Sequence, residues 1–357
     1  MSRLVLTHDM IEAAVVGGSL LGGGGGGSMA EGRKMAALAL TLASVELVDI
    51  EDLDEESILV NVAAVGAPSA KTGYAKPVHY IKAVELLQKA ADIKIAGIIS
   101  NELGGVAAIN GWLQAAMLGI PVVDAPCNGR AHPTGIMGAI GLHNKKNYKS
   151  IQAAVGGSVE KGSFVEILAM GKIEKASSLI RSAAVQAGGL VSVARNPVSL
   201  KYVKENAAAG AIKQAINLGQ RILSAKPEGG IAMVEAACKF LDGEIIYIGD
   251  IDEIFLESKG GFDVGKVLMG DYEITFWNEY MTLEKSGHRL ATFPDLIMTI
   301  DAETGLPVTS AEIMKGQKIA LIAVDRKNLK LGAGMRAPEL FKACEKAVGE
   351  SIIEYVF

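Results

Sequence analysis

Six consecutive glycines, Gly22–Gly27, restrict the fold of this sequence more than any other feature. Without side chains, their amide N–H groups can face outward, and a helix beginning after Ser28 would add the partial positive charge of its N-terminus. Such a turn can hold a phosphate, a carboxylate or a developing oxyanion. We therefore predict a substrate-binding loop made of Gly24, Gly25, Gly26, Gly27 and Ser28.

Two other interpretations of the glycine run stay open. Asp49 follows the run by about twenty residues, at the end of an apolar segment, as a dinucleotide-binding fingerprint requires. That fingerprint also needs a strand before the loop, whereas Thr7 can cap a helix over His8–Val16. A dinucleotide-dependent oxidoreductase is therefore a third functional hypothesis, and a tight helix–helix turn is the structural alternative.

The N-terminal half alternates strand and helix signals. Short apolar runs bounded by turns predict strands buried on both faces of a sheet. They are Val45–Ile50, Ile58–Val65, Ile93–Ser100 and Val122–Ala125. Helical patterns lie between them, at Pro77–Ala91 and Gly105–Leu118. This alternation is typical of a layered α/β domain, which we place at residues 1–167.

The C-terminal half changes character along its length. Strand and helix signals alternate again after Gly162, but from Gly243 to about Leu331 short β-type runs dominate, separated by turns such as Thr304-Gly305. We therefore predict a second α/β domain over residues 168–357, carrying an inserted β-rich module at about residues 242–335.

Composition excludes several classes of function. The 357 residues carry 35 Lys and Arg against 40 Asp and Glu, so no basic surface for nucleic acid is expected. Three cysteines are too few for a disulfide framework, which indicates a reducing compartment. The uncharged stretch Ala13–Ala30 is too rich in glycine for a membrane span. We expect a cytoplasmic protein without membrane or nucleic-acid partners.

Two predicted strands end in polar loops, at Ser100–Gly105 and Asp124–Gly135. The carboxyl ends of neighbouring parallel strands build the ligand crevice of α/β sheets. Acid, base, nucleophile and cation are all present in these loops, and we predict that the catalytic residues are Glu102, Asp124, Cys127, Arg130 and His132. The side chains of Asp124, Cys127 and His132 should line one cavity.

The same loop also offers ligands for a divalent metal such as zinc. Cys127 and His132 are five residues apart, and Asp124, Glu102 and His79 could complete a ligand set. Whether Cys127 is a nucleophile, a metal ligand or a small buried hydrophobe stays open, and the cofactor is unknown.

Motifs spread along nearly the whole chain occur in an order typical of one family. They are the glycine run, Glu102-Leu103-Gly104-Gly105, Pro121–Ala125 leading to Gly129-Arg130-Ala131, Gly260-Gly261-Phe262, Asn278-Glu279, Pro294–Ile297 and Asp301–Pro307. In this order they resemble the S-methyl thiohydantoin desulfurase family, whose members are associated with hydantoinase/oxoprolinase-type proteins.

The resemblance implies a two-domain cytoplasmic hydrolase that converts an S-methylated thiohydantoin ring into a hydantoin and methanethiol. The sequence departs from the family pattern at three positions near the predicted site. It has Ser28 where an acidic residue is expected, Pro126-Cys127-Asn128 where an Asp-Gly turn is expected, and His132 where an aromatic is expected. We therefore expect a small cyclic amide or thiohydantoin-like substrate without naming it.

The predicted mechanism joins the two halves of the chain. Asn278 and Glu279 should reach across the domain cleft, and further substrate-binding residues are Gly104, Gly105 and Asn128. A non-catalytic ligand-binding subunit or partner of a hydantoinase-type enzyme is the alternative function. Helices rich in Gly and Ala also predict a homo-oligomer with two-fold symmetry.

Overall fold

A computed structural model describes residues 3–66 and 75–357 of the chain. Its α-helices are α1 (His8–Leu21), α2 (Met29–Leu42), α3 (Pro77–Ala91), α4 (Trp112–Leu118), α5 (Ile173–Gln186), α6 (Leu200–Asn206), α7 (Ala211–Ser224), α8 (Gly230–Leu241), α9 (Pro338–Val348) and α10 (Ile353–Val356). Its strands are β1 (Leu4–Val5), β2 (Glu46–Val48), β3 (Ile58–Gly66), β4 (Ile95–Ser100), β5 (Val122–Val123), β6 (Ser150–Gly156), β7 (Val165–Gly171), β8 (Leu190–Ser199), β9 (Glu244–Asp250), β10 (Glu253–Lys259), β11 (Phe262–Met269), β12 (Tyr272–Trp277), β13 (Glu279–Lys285), β14 (His288–Thr292), β15 (Leu296–Asp301), β16 (Pro307–Val308) and β17 (Lys318–Val324).

The first eight described strands form one mixed sheet in the order β1-β2-β5-β4-β3-β8-β6-β7. Its centre is parallel, since β2 pairs with β5, β5 with β4 and β4 with β3 in the same direction. Strand β8, from the second predicted domain, lies antiparallel between β3 and β6. The sheet therefore brings the loop after β4 close to the middle of β8.

Strands β9 to β17 form two antiparallel sheets, with the orders β10-β11-β12-β13-β14 and β16-β15-β17-β9. Strand β13 continues directly from β12 through a tight turn at Asn278. The α/β fold with a β-rich module is confirmed by this arrangement. The domain boundary predicted at residues 167/168 falls inside β7, and the exact boundaries stay a prediction.

A helix, not a strand, leads into the glycine run. Helix α1 ends at Leu21, and α2 begins at Met29 after Ser28, whose hydroxyl accepts a hydrogen bond from the Glu31 amide at 3.3 Å. The entering strand that a dinucleotide fingerprint needs is thus replaced by α1. None of the helices in the described ranges is long and apolar enough to cross a membrane.

Helix α1 packs unusually close to α7 because both carry glycine at the crossing. A Cβ on Gly17 would lie 1.8 Å from the Ala215 carbonyl oxygen, and one on Gly219 would lie 1.9 Å from the Ala13 carbonyl oxygen. Larger side chains at these two positions would separate the helices, so the crossing holds the start of the glycine loop in place.

Candidate functional site

A cavity of about 680 Å³ opens beside the carboxyl ends of β3 and β4, a size typical of small-molecule sites. The β-rich module contributes to its wall through the β10–β11 turn and the start of β13. The polar side chains that line it include Ser28, Glu31, Asn101, Glu102, His132, Glu174, Arg181, Arg195, Asn278 and Glu279.

Glu102 follows the end of β4 and lines the cavity with a side chain that is 16% exposed. Its Oε2 accepts hydrogen bonds from the His132 amide at 3.2 Å and from Asn101 Nδ2 at 3.3 Å. Burial raises the pKa of Glu102 to about 7, against the opposing effect of these bonds and of Arg195. At neutral pH this carboxyl can therefore either give up or take a proton.

His132 is buried in the loop that follows β5. Its Nε2 lies 3.3 Å from Glu102 Oε2 and 3.2 Å from Asn101 Nδ2. Burial and the charge of Arg195 lower the pKa of His132 to about 3. The imidazole is therefore neutral at physiological pH, and it cannot serve as a cationic acid.

Glu279 brings a second carboxyl into the cavity from the β-rich module. The preceding residue, Asn278, has φ of 57°, a conformation that Asn tolerates better than most residues, and this tight turn directs the Glu279 side chain inward. Only 3% of Glu279 is exposed. Burial and the neighbouring charge of Glu102 raise its pKa well above the usual range, which favours the protonated form of Glu279.

Two arginines complete the polar wall. Arg181 of α5 donates to the carbonyl oxygens of Gly66 at 3.0 Å and Gly261 at 2.9 Å, and its guanidinium lies 4.1 Å from the centre of the Phe262 ring. Arg195 of β8 donates from Nη2 to Asn101 Oδ1 at 2.6 Å. Burial lowers the pKa of both arginines, that of Arg181 to about 10. A guanidinium keeps its charge at neutral pH in proteins.

Sequence reasoning missed both arginines and Asn101. Arg195 is the one charged residue within the strand Leu190–Ser199, which could have served as a signal because unpaired charges are rarely buried. Arg181 lies on an ordinary amphipathic helix, α5, and nothing in its sequence context marks it.

The glycine loop contributes to the site in two ways. Gly26, Gly27 and Ser28 line the cavity, and within the described residues their amide N–H groups have no acceptor. Gly24 and Gly25 instead make room for neighbours. A Cβ on Gly25 would lie 2.0 Å from Glu279 Oε1, and one on Gly24 would lie 2.8 Å from Tyr280 Cδ2. These two glycines thus act by letting β13 approach the loop.

Gly104 and Gly105 pack against the same loop from the other side. A Cβ on Gly104 would lie 2.3 Å from the Cα of Gly26, and one on Gly105 would lie 2.5 Å from the Gly27 carbonyl oxygen. Neither is among the cavity-lining residues. Their place in the structure is to hold the glycine loop against the end of β4.

Asp124 and Cys127 lie outside the cavity, so the prediction that they line it together with His132 is wrong. The Asp124 carboxylate accepts hydrogen bonds from the amides of Ile212 at 2.7 Å and Lys213 at 3.2 Å, in the first turn of α7. Burial raises its pKa to about 6. Asp124 therefore caps a helix, which satisfies amides that have no partner within the helix.

Cys127 is 1% exposed and packs among apolar side chains. Burial raises the pKa of its thiol to about 12, so the reactive thiolate is scarcely formed. The loop folds Cys127 inward because its amide donates to the Ser100 carbonyl oxygen at 2.8 Å.

Arg130 and Asn128 connect the loop to the C-terminal half. Arg130 donates to the Asp295 carbonyl oxygen, and its guanidinium lies 4.6 Å from the centre of the Phe293 ring. Asn128 accepts from the Gly332 amide at 3.1 Å. Neither lines the cavity, although the charge of Arg130 opposes the upward shift of the Glu279 pKa.

Among the candidate metal ligands, Glu102 and His132 lie 3.3 Å apart, but His79, Asp124 and Cys127 do not join them. His79 accepts a hydrogen bond from the Lys76 amide at 3.1 Å on α3, and its ring lies 5.8 Å from that of Phe164. Across residues 3–66 and 75–357, no three His, Cys, Asp or Glu side chains are grouped closely enough to hold a metal ion. The predicted zinc site is therefore not assembled from these residues.

The fold is that of an α/β protein in which a β-rich module forms part of the wall of a cavity on a mixed sheet. Family models described as S-Me-THD-like, N-terminal domain, and S-Me-THD-like, C-terminal domain, match residues 9–160 and 171–334. The chain belongs to this S-Me-THD-like family, which confirms the resemblance found in the sequence.

A solved structure of a protein from Chromobacterium violaceum has the same fold. It is 23% identical to this chain, the match covers 96% of both chains, and the TM-score is 0.70. At this identity the likeness extends to the fold alone. No curated protein matches the chain.

Proposed function

We propose that this protein is a hydrolase of a small cyclic amide or thiohydantoin-like ring, with S-methyl thiohydantoin as its model substrate. Membership of the S-Me-THD-like family supports the substrate class. The observation that carries the proposal is a pair of carboxyl groups, Glu102 and Glu279, that face one cavity with raised pKa values. Two carboxyls with different protonation states can serve as base and acid in one reaction.

The proposed reaction exchanges sulfur for oxygen on the ring. Ionised Glu102 takes a proton from water as the water oxygen bonds to the ring carbon that bears the S-methyl group, and the C=N double bond of that carbon opens toward the ring nitrogen. The C–S bond then breaks as the C=N bond re-forms, and protonated Glu279 gives its proton to the leaving sulfur. The hydroxyl proton on the new ring oxygen moves to the ring nitrogen, and proton exchange with solvent returns Glu102 to its ionised form and Glu279 to its protonated form. One water and one ring thioether become one ring carbonyl and one methanethiol. No oxidant or reductant is needed.

The charged wall of the cavity would stabilise the tetrahedral intermediate. Arg181 and Arg195 place positive charge beside it, and the amides of Gly26 and Gly27 offer donors for a ring oxygen or nitrogen. These groups are already held by their own hydrogen bonds and backbone conformations. Little reorganisation is therefore required when charge develops.

The carboxyl pair predicts a bell-shaped dependence of rate on pH. The base must lose its proton, so the rate should rise as pH passes the pKa of Glu102, about 7. The acid must keep its proton, so the rate should fall again once Glu279 ionises. Because the two charges interact, the apparent pKa values belong to the pair.

The test is release of methanethiol from S-methyl thiohydantoin, measured with a thiol-reactive dye, with the hydantoin product identified by mass spectrometry. Glu102→Gln should lower kcat by about 10²- to 10⁴-fold and remove the acidic limb of the pH profile. Glu85→Gln, which changes an exposed carboxyl on α3, is the matched control.

Full activity in Glu102→Gln would show that another group activates water. Binding of the ring by calorimetry without thiol release from the unmodified protein would instead favour the alternative function, a non-catalytic ligand-binding subunit.

A further inference from the structure

Three polar atoms form a triangle at the floor of the cavity. Asn101 Nδ2 lies 3.3 Å from Glu102 Oε2 and 3.2 Å from His132 Nε2, and the last two atoms lie 3.3 Å apart. Which of these atoms carry protons decides what this corner can do with a substrate proton. The surrounding hydrogen bonds settle the question for Asn101 first.

The amide of Asn101 has only one compatible orientation. Its Oδ1 lies 2.6 Å from Arg195 Nη2, and a guanidinium has donors and no acceptor, so the atom facing it must be the oxygen. Asn61 Nδ2 also donates to this oxygen at 3.0 Å, and it donates to the Gly138 carbonyl oxygen at 3.2 Å. Asn61 and Arg195 face each other in the β3–β8 pairing, so both donors are fixed by the sheet.

The Asn101 amide nitrogen therefore points its donors toward His132 and Glu102. Asn101 Nδ2 carries two protons, so it donates to both Glu102 Oε2 and His132 Nε2 when that nitrogen presents a lone pair. In this arrangement the proton of the neutral imidazole lies on Nδ1, a buried atom for which the described residues provide no hydrogen-bond acceptor. When Glu102 is protonated, its O–H can donate to the same lone pair, which stabilises the protonated carboxyl.

We propose that Asn101 is a positioning residue that holds His132 in the Nδ1–H tautomer and so leaves Glu102 to exchange the proton in this corner of the cavity. The catalytic part of this inference rests on the proposed hydrolysis. The tautomer part stands on the hydrogen-bond geometry and can be tested without turnover.

Charged groups from every neighbouring element act on this corner. They are Glu102 after β4, Arg130 in the loop after β5, Arg181 on α5, Arg195 on β8 and Glu279 on β13. The charges of Arg195 and Arg130 both lower the pKa of His132, so the imidazole stays neutral across the pH range of the experiment.

The decisive experiment is two-dimensional NMR of the side-chain nitrogens of ¹⁵N-labelled histidines at pH 7. The His132 signals are assigned by their loss in His132→Gln. Protonated Nδ1 and unprotonated Nε2 in the unmodified protein support the proposal. A proton on Nε2, or an imidazolium, overturns it. Unchanged signals of the other histidines show that His132→Gln is folded and that the assignment holds.

The substitution Asn101→Asp should reverse the tautomer of His132. Aspartate keeps one oxygen for Arg195 and Asn61, but it presents a second oxygen to His132 Nε2, so the proton should move to Nε2. Asn147→Asp makes the same chemical change in an exposed turn and should leave the His132 signals unchanged. A folded Asn101→Asp protein with the original tautomer would contradict the inference.

Kinetics then test the consequence for the reaction. Asn101→Asp should lower kcat about 10²-fold, since a misplaced proton acceptor has an effect of that order, with KM changing less than about threefold. Equal activity of this variant and Asn147→Asp would overturn the catalytic part. If the unmodified protein releases no thiol while the Nδ1–H tautomer is observed, the proposed hydrolysis fails and the positioning role of Asn101 stands.

Discussion

The loop after β5 divides into two segments with opposite surroundings. Residues 124–130 point their polar side chains into the protein, whereas residues 132–135 line the cavity. The carboxyl, thiol and guanidinium groups are all in the first segment. The second segment contributes His132 together with Pro133, Thr134 and Gly135. Reactive side chains in a loop do not by themselves locate a site, because the same groups also cap helices and connect distant parts of the chain.

The two strand-end carboxyls show the difference most clearly. Both Asp124 and Glu102 have pKa values raised by burial, to about 6 and about 7. Both oxygens of Asp124 accept amide hydrogen bonds from α7, and the residue does not line the cavity. Glu102 shares one oxygen with His132 and Asn101 and faces open volume. A perturbed pKa marks a functional group only where a cavity adjoins it.

The largest effect on activity is expected at Glu279, which lines the cavity. Glu279→Gln should lower kcat by about 10²- to 10⁴-fold because the leaving sulfur would lose its proton donor. The fold should persist, since glutamine has the same shape as a protonated glutamate. Thiol release and thermal unfolding measure the two effects separately.

Glu253→Gln, an exposed carboxyl in the same β-rich module, is the control for that variant. An active Glu279→Gln protein would remove the carboxyl pair from the mechanism. Glu279 would then have no catalytic role, as is expected for Asp124.

An intermediate effect is expected at Asp124. Asp124→Ala should lower the free energy of unfolding by about 1–3 kcal/mol, because the buried amides of Ile212 and Lys213 would lose their acceptors. The activity of the folded protein should stay within about threefold of the unmodified value. Urea denaturation and initial rates check both statements.

Asp9→Ala serves for comparison, since Asp9 also lies in the first turn of a helix but is exposed. Loss of catalysis in an Asp124→Ala protein of normal stability would break the distinction between the two loop segments.

The smallest effect is expected at Cys127. Cys127→Ala removes one buried sulfur and should lower stability by about 1 kcal/mol, without a measurable change in thiol release. The thiol should resist iodoacetamide in the native protein because burial keeps it protonated. Rapid native-state labelling, or inactivation by the substitution, would restore Cys127 as a candidate nucleophile.

The position of some candidate residues was predictable from local patterns. Glu102 was predicted because polar residues after a buried parallel strand gather at one sheet edge, and the cavity lies at that edge. Asn278 and Glu279 came from the family resemblance, and both line the same cavity. The helix entering the glycine run was evident from the Thr7 cap signal and the apolar pattern after it.

The remaining site residues depend on contacts between distant parts of the chain. Arg195 reaches Asn101 only because β8 inserts next to β3, an antiparallel pairing across more than a hundred residues that periodicity does not reveal. The candidate metal ligands lie apart for the same reason, namely contacts between distant parts of the chain. The packing of α3 directs His79 toward Phe164.

Periodicity, turn residues and ordered motifs within short segments were enough to specify the α/β class, the β-rich module, the family and the strand-end location of Glu102. The face that each polar side chain presents depends instead on tertiary packing. Asp124 caps α7 and Glu102 borders open volume because the chain brought a helix to one strand end and left space at the other. That choice follows from packing between distant elements, which local sequence does not encode.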